Sequence, residues 1–240
     1  EVLQELMFAP NPLGMTILGE EKVIKSLSRD DFLRYHQSQY KSDNIVVAIA
    51  GNSAQRSVLS AQVEKWFGDI PQAKEGDFQR VTTIKGPRIK VLKKKLTNQA
   101  HLSLGVEGIN VADPRRFALT LLTAHLGQGL SSRLFVELRE KRGLCYAVSA
   151  SESRLRDIGE WDVYAGVSID KLEEALEGIL SELKRTKEIK LTKDELAQAK
   201  EKMRGPLIYS MEDPVKQMNW FAKQALDRPE EMMSYDMVID

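Results

Sequence analysis

The sequence predicts an α+β fold in which helices cover one face of a mainly antiparallel sheet. Two stretches, 146–153 and 161–167, alternate apolar and polar residues on either side of a turn at Gly159, which is the pattern of a β-hairpin. Apolar residues recur at helical spacing in other stretches, notably 118–126 and 172–183. Because strand patterns and helix patterns are separated along the chain, a two-layer packing is expected.

The composition is that of a soluble globular protein without surplus charge. Lys and Arg number 35, as do Asp and Glu, so the excess basic charge on which phosphate binding rests is missing and no nucleic-acid partner is expected. The longest apolar run, 45–50, is far shorter than the ~18 residues of a membrane span. The single cysteine, Cys145, rules out an internal disulfide framework. These features fit the cytoplasm, the periplasm or an organelle.

A helix, a strand and a second helix are expected in the first part of the chain. Ser28 and Asp31 have the spacing of a capping box, which predicts a helix start. The continuous apolar run 45–50 is typical of a strand covered on both faces. A second helix should follow, capped by Asn52 or Ser53.

A strand and several helices are expected in the later part of the chain. Residues 102–106 alternate as a half-buried strand, and Asp113 followed by proline should cap the helix that carries the apolar stripe 118–126. A new helix should run over 131–141. A capping box that begins at Thr192 should open a long final helix.

A polar stretch punctuated by proline and glycine, 73–88, is predicted to be a linker between 1–72 and 89–240. Glu1 begins within a helical pattern, with neither Met nor a signal-like apolar core. We therefore expect Glu1 to be a cut end.

The three histidines lack the spacing of a helical zinc motif. His125 lies on the apolar helix stripe and is expected to be a satisfied core residue. His101 falls on the polar face of a strand and is expected to be non-catalytic, and His36 should lie on a helix surface. For Cys145, we expect a buried, inert thiol.

The segment 126–148 is the one whose residues suggest chemistry. It has a glycine turn, a capped helix, a glycine stop and a strand that begins at Tyr146. Arg139 lies in the last helical turn and Tyr146 follows after a tight turn, so both side chains could reach one edge and donate hydrogen bonds to a developing oxyanion. The alternative is a solvated charge run beside a core tyrosine, and the residues alone favour this alternative.

The run Gly129–Tyr146 closely resembles the second-domain signature of the pitrilysin/insulinase-type zinc metallopeptidases, the family of mitochondrial processing peptidase. Further stretches resemble the same family in the family's order: 11–19, 43–51 and 99–105. The resemblance therefore extends over nearly the whole chain.

This resemblance implies two related αβ domains that close as a clamshell around an unfolded peptide substrate. In the family, the first domain carries an inverted H-x-x-E-H motif whose zinc polarises the scissile carbonyl and activates water, with the motif Glu as the base. The second domain supplies an Arg and a Tyr, which here fall on Arg139 and Tyr146. By this resemblance they bind the substrate and stabilise the tetrahedral intermediate.

The sequence departs from the family in having no H-x-x-E-H motif, which by the family order would lie upstream of Glu1. We therefore expect an internal fragment in which 1–72 is the end of the first domain and 89–240 is most of the second. No metal is expected in this chain, and zinc is expected in the parent protein.

The expected function is that of the substrate-binding, non-metal half of a zinc metalloendopeptidase. Its expected partners are the peptide substrate and the missing zinc-bearing domain or a partner subunit, and self-association through the cut first domain is also expected. The alternative is a non-catalytic partner subunit or inactive family member that acts in peptide binding or assembly. The presence of Arg139 and Tyr146 favours a catalytically active parent protein over this alternative.

Overall fold

The strands of the described residues form one antiparallel sheet. In the computed structural model, which describes residues 1–51, 56–72, 78–82, 85–95 and 97–239, the strands are β1 (Gln99–Glu107), β2 (Cys145–Arg154) and β3 (Gly159–Ser168). Their order in the sheet is β1-β3-β2, and both pairings are antiparallel. The predicted hairpin is confirmed as β2 and β3.

Helices account for most of the remaining regular structure. They are α1 (Val2–Phe8), α2 (Glu21–Ser26), α3 (Arg29–Gln39), α4 (Arg56–Phe67), α5 (Arg116–Gly127), a π-helix (Phe135–Lys141), α6 (Leu172–Glu188), α7 (Lys193–Met211), α8 (Pro214–Asp227) and α9 (Asp236–Ile239). Among the described helices, none is long and apolar enough to cross a membrane.

The core lies between one face of the sheet and the helices packed on it. Alternate residues of β3, from Trp161 to Val167, are buried and contribute to a cluster with Leu126 of α5, Leu138 of the π-helix and Ile179 of α6. Burial of such side chains is the main favourable contribution to folding. The expected two-layer α+β architecture is confirmed.

Gly127 brings α5 into direct contact with the sheet. A Cβ atom at this position would lie 2.0 Å from the backbone nitrogen of Ala150 in β2, so no side chain fits there. The sequence pattern predicts that the helix breaks at Gly127 and Gly129, and α5 does end at Gly127, whose missing side chain also allows the close packing.

The chain divides into two compact units. Unit 1 consists of 1–15 and 80–205 and contains the sheet, and unit 2 consists of 16–79 and 206–240. The domain boundaries drawn from the sequence stay a prediction. Within the predicted linker, 73–77 and 83–84 lie outside the described residues.

The predicted helix caps hold at two of the positions and fail at a third. Ser28 and Asp31 form a reciprocal capping box at the start of α3, and Thr192 forms the equivalent pair with Glu195 before α7. Asp113 does not cap α5, which begins at Arg116 with Arg115 as its N-cap residue. The carboxylate of Asp113 accepts hydrogen bonds from the backbone N–H and the guanidinium of Arg115, and so forms a turn just before the helix. The caps proposed at 52 and 53 lie outside the described residues.

The predicted strand at 45–50 is wrong. The backbone is extended at Ile45, yet no strand forms over this run in the described part of the chain. An extended segment becomes a strand only where another strand pairs its amides and carbonyls. The run is also partly exposed, with 40% of Val46 and 56% of Ile49 accessible to solvent.

The buried face of α5 matches the predicted stripe at Leu122 and Leu126 and is shifted from it elsewhere. Thr123, Ala124 and Leu126 are buried, whereas Ala118 is exposed. Thr123 is tolerated there because its hydroxyl donates to the Leu119 carbonyl at 2.8 Å and accepts from the Trp161 indole at 2.9 Å.

His125 is only partly buried and is not the satisfied core residue that the stripe predicts. Its Nε2 atom is buried without a hydrogen-bond partner among the described residues. Burial lowers the pKa of His125, the cations Arg133 and Lys202 lower it further, and Glu195 opposes the shift. The neutral imidazole is therefore favoured in the folded protein.

Stability should fall as the pH is lowered, in part through His125. The unfolded chain binds a proton at this histidine below about pH 6.5, whereas the folded chain binds it only at lower pH. The unfolded state therefore gains protons first, and acid lowers the free energy of unfolding. Between pH 7.5 and 5.5, we expect the melting temperature of His125→Gln to fall less than that of the wild type. Equal losses would contradict this assignment, and His36→Gln, on an exposed helix position, is the control.

Unit 2 exposes many large apolar side chains. Ile17 is 94% exposed, Trp66 72% and Phe32 64%. An apolar groove between the 3₁₀ turn at 42–44 and α8 is lined in part by Ile45 and Ala222. Exposed apolar surface on this scale favours association.

We expect the isolated chain to self-associate at micromolar concentration through the apolar surface around 45–50. The double variant Val47→Glu/Ile49→Glu should weaken association about tenfold or more, because burying one such side chain is worth about 1.5–3 kcal/mol. Ile89→Glu is a matched control in unit 1, since Ile89 is 88% exposed. Sedimentation velocity measures the effect, and a wild-type chain that stays monomeric would refute the expectation.

Candidate functional site

The segment that leads to the candidate site is a π-helix closed by a glycine turn. Helical structure begins near Arg133 and takes the π form over Phe135–Lys141, where the sequence predicts an ordinary helix. Gly143 has a φ of 58°, in the left-handed region, and its N–H donates to the Arg139 carbonyl at 3.1 Å. The predicted glycine stop is confirmed, and π-helices are frequent at functional sites.

Arg139 is exposed in the last turn of the π-helix. The central carbon of its guanidinium lies 4.9 Å from the centre of the Phe135 ring. Such cation–π contact holds a guanidinium in place while leaving its N–H groups at the edge free to donate. The side chain is therefore restrained in position and available to a ligand.

Tyr146 lies on a β-bulge at the start of β2. Cys145 pairs with Val167 and Ala147 pairs with Gly166, so Tyr146 is the extra residue of the ladder. Cys145 and Val148 are both buried, and the bulge leaves Tyr146 and Ala147 together on the exposed side. Tyr146 is 57% exposed and is not a core tyrosine.

The hydroxyl of Tyr146 lies 3.4 Å from that of Ser168, which ends the neighbouring strand β3. Both groups can donate or accept. If Ser168 donates, the phenolic proton of Tyr146 is left for a ligand.

Arg139 and Tyr146 both lie near the start of β2, an outer strand of the sheet. The N–H groups of Gly143 and Leu144 donate to the carbonyls of Arg139 and Leu138 at 3.1 and 2.8 Å, so the turn holds the end of the π-helix beside this strand. Burial raises the pKa of the Cys145 thiol, and the positive charge of Arg139 opposes this rise. Cys145 itself is buried and free, as expected. Among the described residues, no hydrogen bond joins Arg139 to Tyr146.

A second polar pair lies on the same open face of the sheet. Nδ1 of His101 in β1 is 2.7 Å from the hydroxyl of Tyr164 in β3. Both residues stand at the polar positions of strands that alternate polar and apolar residues, so their side chains lie on the same face of the sheet. Their contact depends on the register of β1 against β3, which the sequence pattern does not give.

A zinc ion does not fit the described residues. His36 stacks on Tyr40 in α3, His101 lies in β1 and His125 lies in α5. In the described part of the chain, no three His, Cys, Asp or Glu side chains converge to hold a metal ion.

Curated relatives of this chain are named as zinc proteases. The chain is 34% identical over 229 residues to "Uncharacterized zinc protease YmxG" of Bacillus subtilis, with 94% of this chain and 54% of that protein covered. It is also 34% identical over 245 residues to "Uncharacterized zinc protease SCO5738" of Streptomyces coelicolor, with 99% and 53% covered. The chain therefore spans about half the length of these relatives.

Solved structures share the fold at lower sequence identity. A protease from Helicobacter pylori superposes with a TM-score of 0.86 at 21% identity, over 99% of this chain and 59% of that one. A peptidase M16 inactive domain from Pseudomonas fluorescens superposes with a TM-score of 0.81 at 20% identity, over 99% and 59% of the two chains.

The family model described as "Peptidase M16 inactive domain" matches residues 26–203, which is well over half of the chain. This match includes the sheet, the π-helix and the edge where Arg139 and Tyr146 lie. The chain therefore belongs to the M16 peptidase family.

Proposed function

We propose that this chain is the substrate-binding, non-metal half of a zinc metalloendopeptidase that hydrolyses unfolded peptides. The observation that carries the proposal is the presence of two exposed hydrogen-bond donors, Arg139 and Tyr146, on either side of the tight turn between the π-helix and the outer strand β2. Neither side chain is buried in the core. Arg139 contacts the Phe135 ring, and the Tyr146 hydroxyl contacts that of Ser168. Membership of a peptidase family and relatives named as zinc proteases support the reaction class.

The chemistry needed from these residues is the stabilisation of negative charge. Attack on a peptide carbonyl moves charge onto its oxygen, and donors already in place lower the barrier because they need no reorganisation at that moment. Tyr146 offers one O–H, and Arg139 offers planar N–H groups together with a full positive charge. In this proposal both bind the carbonyl oxygen of the scissile bond, and their interaction strengthens as charge develops.

The metal of the proposed enzyme belongs to another part of the parent protein or to a partner subunit. The described residues offer no converging ligand set, whereas the relatives that bear the name zinc protease are about twice as long as the matched part. The proposed partners are accordingly the zinc-bearing half and the peptide.

A non-catalytic subunit that only binds peptide is the second candidate. The matched family model is described as an inactive domain, which is the observation in its favour. Such a subunit has no need of oxyanion donors, so the loss or retention of turnover in Arg139 and Tyr146 variants separates the two functions.

In the full-length parent protein, Tyr146→Phe should lower kcat by on the order of 10²–10³, or about 3–4 kcal/mol of barrier, because one oxyanion donor is removed while the ring remains. The rate of peptide hydrolysis at saturating substrate concentration measures kcat. Tyr209→Phe is the matched control, since Tyr209 is 74% exposed in unit 2.

Arg139→Lys should also lower kcat, because a point charge does not reproduce the planar guanidinium fork. Arg204→Lys, which keeps an exposed ion pair with Glu201, should leave turnover unchanged. Near-normal kcat in both Tyr146→Phe and Arg139→Lys would assign the two residues to the scaffold and favour the non-catalytic subunit.

The isolated chain should not bind zinc in stoichiometric amount and should not cleave peptides. Elemental analysis of the purified, dialysed chain measures the metal. One tightly held zinc ion per chain would contradict the placement of the metal in another part of the parent, and His125→Gln would then show whether the partly buried histidine is a ligand.

A further inference from the structure

One face of the sheet carries the core, and part of the other face is open. Tyr164 and Ser168 are partly exposed, alternate with the buried side chains of β3 and therefore lie on the opposite face, which Gly166 shares although it is itself buried. Helix α1 covers this face near Gly105, where an added Cβ would lie within 2.5 Å of the Met7 sulfur. His101 and Tyr146 remain exposed.

Tyr164 reaches across β3 towards β1. His101 is the register partner of Gly166, whereas Tyr164 pairs with Ser103 two positions away. The Tyr164 hydroxyl nevertheless lies 2.7 Å from His101 Nδ1. It passes over Gly166, where an added Cβ would stand 3.5 Å from it, in ordinary van der Waals contact.

The contact with Tyr164 orients the imidazole of His101. When the phenol donates to Nδ1, the ring proton resides on Nε2, which becomes a donor with a fixed direction. A histidine held in this way on an exposed face has one hydrogen bond to offer to a ligand.

We propose that His101 donates a hydrogen bond from Nε2 to a main-chain carbonyl of the peptide substrate, about three residues away from the carbonyl bound by Tyr146. Tyr164 is the positioning residue for this contact. The inference rests on the proposed function, because it takes the peptide bond at Tyr146 as its reference point.

The spacing follows from the sheet. His101 lies in β1 and Tyr146 in β2, on either side of β3. Strands lie about 4.8 Å apart, so the two outer strands are separated by roughly 10 Å, and an extended peptide covers that distance with about three residues at ~3.4 Å each. A peptide that crosses the open face can therefore meet both donors.

The test uses the full-length parent protein and two fluorogenic peptides with the same scissile bond, one with four residues on each side of it and one with two. His101→Phe should raise KM for the longer peptide about fivefold, which corresponds to about 1 kcal/mol for one hydrogen bond. It should leave kcat within twofold and leave both parameters for the shorter peptide unchanged. Tyr164→Phe should raise KM for the longer peptide by a smaller factor, because Nε2 is retained but no longer oriented.

Controls separate this inference from the proposed function. His36→Phe makes the same chemical change on helix α3 of unit 2 and should alter neither peptide. If Tyr146→Phe lowers kcat for both peptides while His101→Phe changes nothing, or changes both peptides equally, the His101 contact is refuted and the oxyanion role stands. If His101→Phe shows the length dependence while Tyr146→Phe has normal kcat, the oxyanion role is refuted and the contact stands.

Binding gives a readout that does not need turnover. Fluorescence anisotropy of the longer peptide on the full-length protein should show about fivefold weaker binding for His101→Phe, with unchanged thermal melting. Equal dissociation constants for His101→Phe and wild type, or failure of the wild type to bind the longer peptide, would overturn the inference.

Discussion

Burial of alternate residues of β3, from Trp161 to Val167, is the constraint on which the structure of unit 1 depends. Because a strand repeats every two residues, fixing one face against the helices also fixes what the other face presents. Tyr164, Gly166 and Ser168 are thereby placed opposite the core. Shifting the pairing register of β3 by one residue would exchange its two faces. The packing of the core therefore also fixes which residues lie on the open face.

Two local irregularities then place the donors at the edge of this sheet. The π-helix ends at the Gly143 turn, and the bulge at Tyr146 begins the strand that follows. Cys145 and Val148 are both buried although they are three residues apart, which regular alternation does not permit. The bulge absorbs the extra residue and turns Tyr146 outward. Both irregularities interrupt regular hydrogen bonding, and both lie beside residues that the proposed reaction uses.

The sequence predicts the parts of the structure that local chemistry controls. The capping boxes at Ser28 and Thr192, the glycine stop and the hairpin all follow from residues within a few positions of one another. It does not predict the run 45–50 correctly, because strand formation depends on a pairing partner that the run itself does not specify. The convergence of the Arg139 and Tyr146 side chains on one ligand stays a prediction. The His101–Tyr164 contact is missed for the same reason as the strand, because it joins residues from two distant strands.

The kind of recognition open to this face follows from its chemistry. In the proposed function, donors such as His101 and Tyr146 bind carbonyl oxygens, which every peptide bond carries. They would therefore recognise the main chain of a peptide and would not distinguish its side chains. Each neutral contact is worth only about 1 kcal/mol, and several must be made at once to hold a substrate. A folded protein hides its carbonyls in its own helices and sheets, whereas an extended chain presents them at regular spacing. Under the proposed function, a sheet face with spaced donors would select for unfolded segments of sufficient length, and sequence preference would come from side-chain contacts made by other parts of the protein.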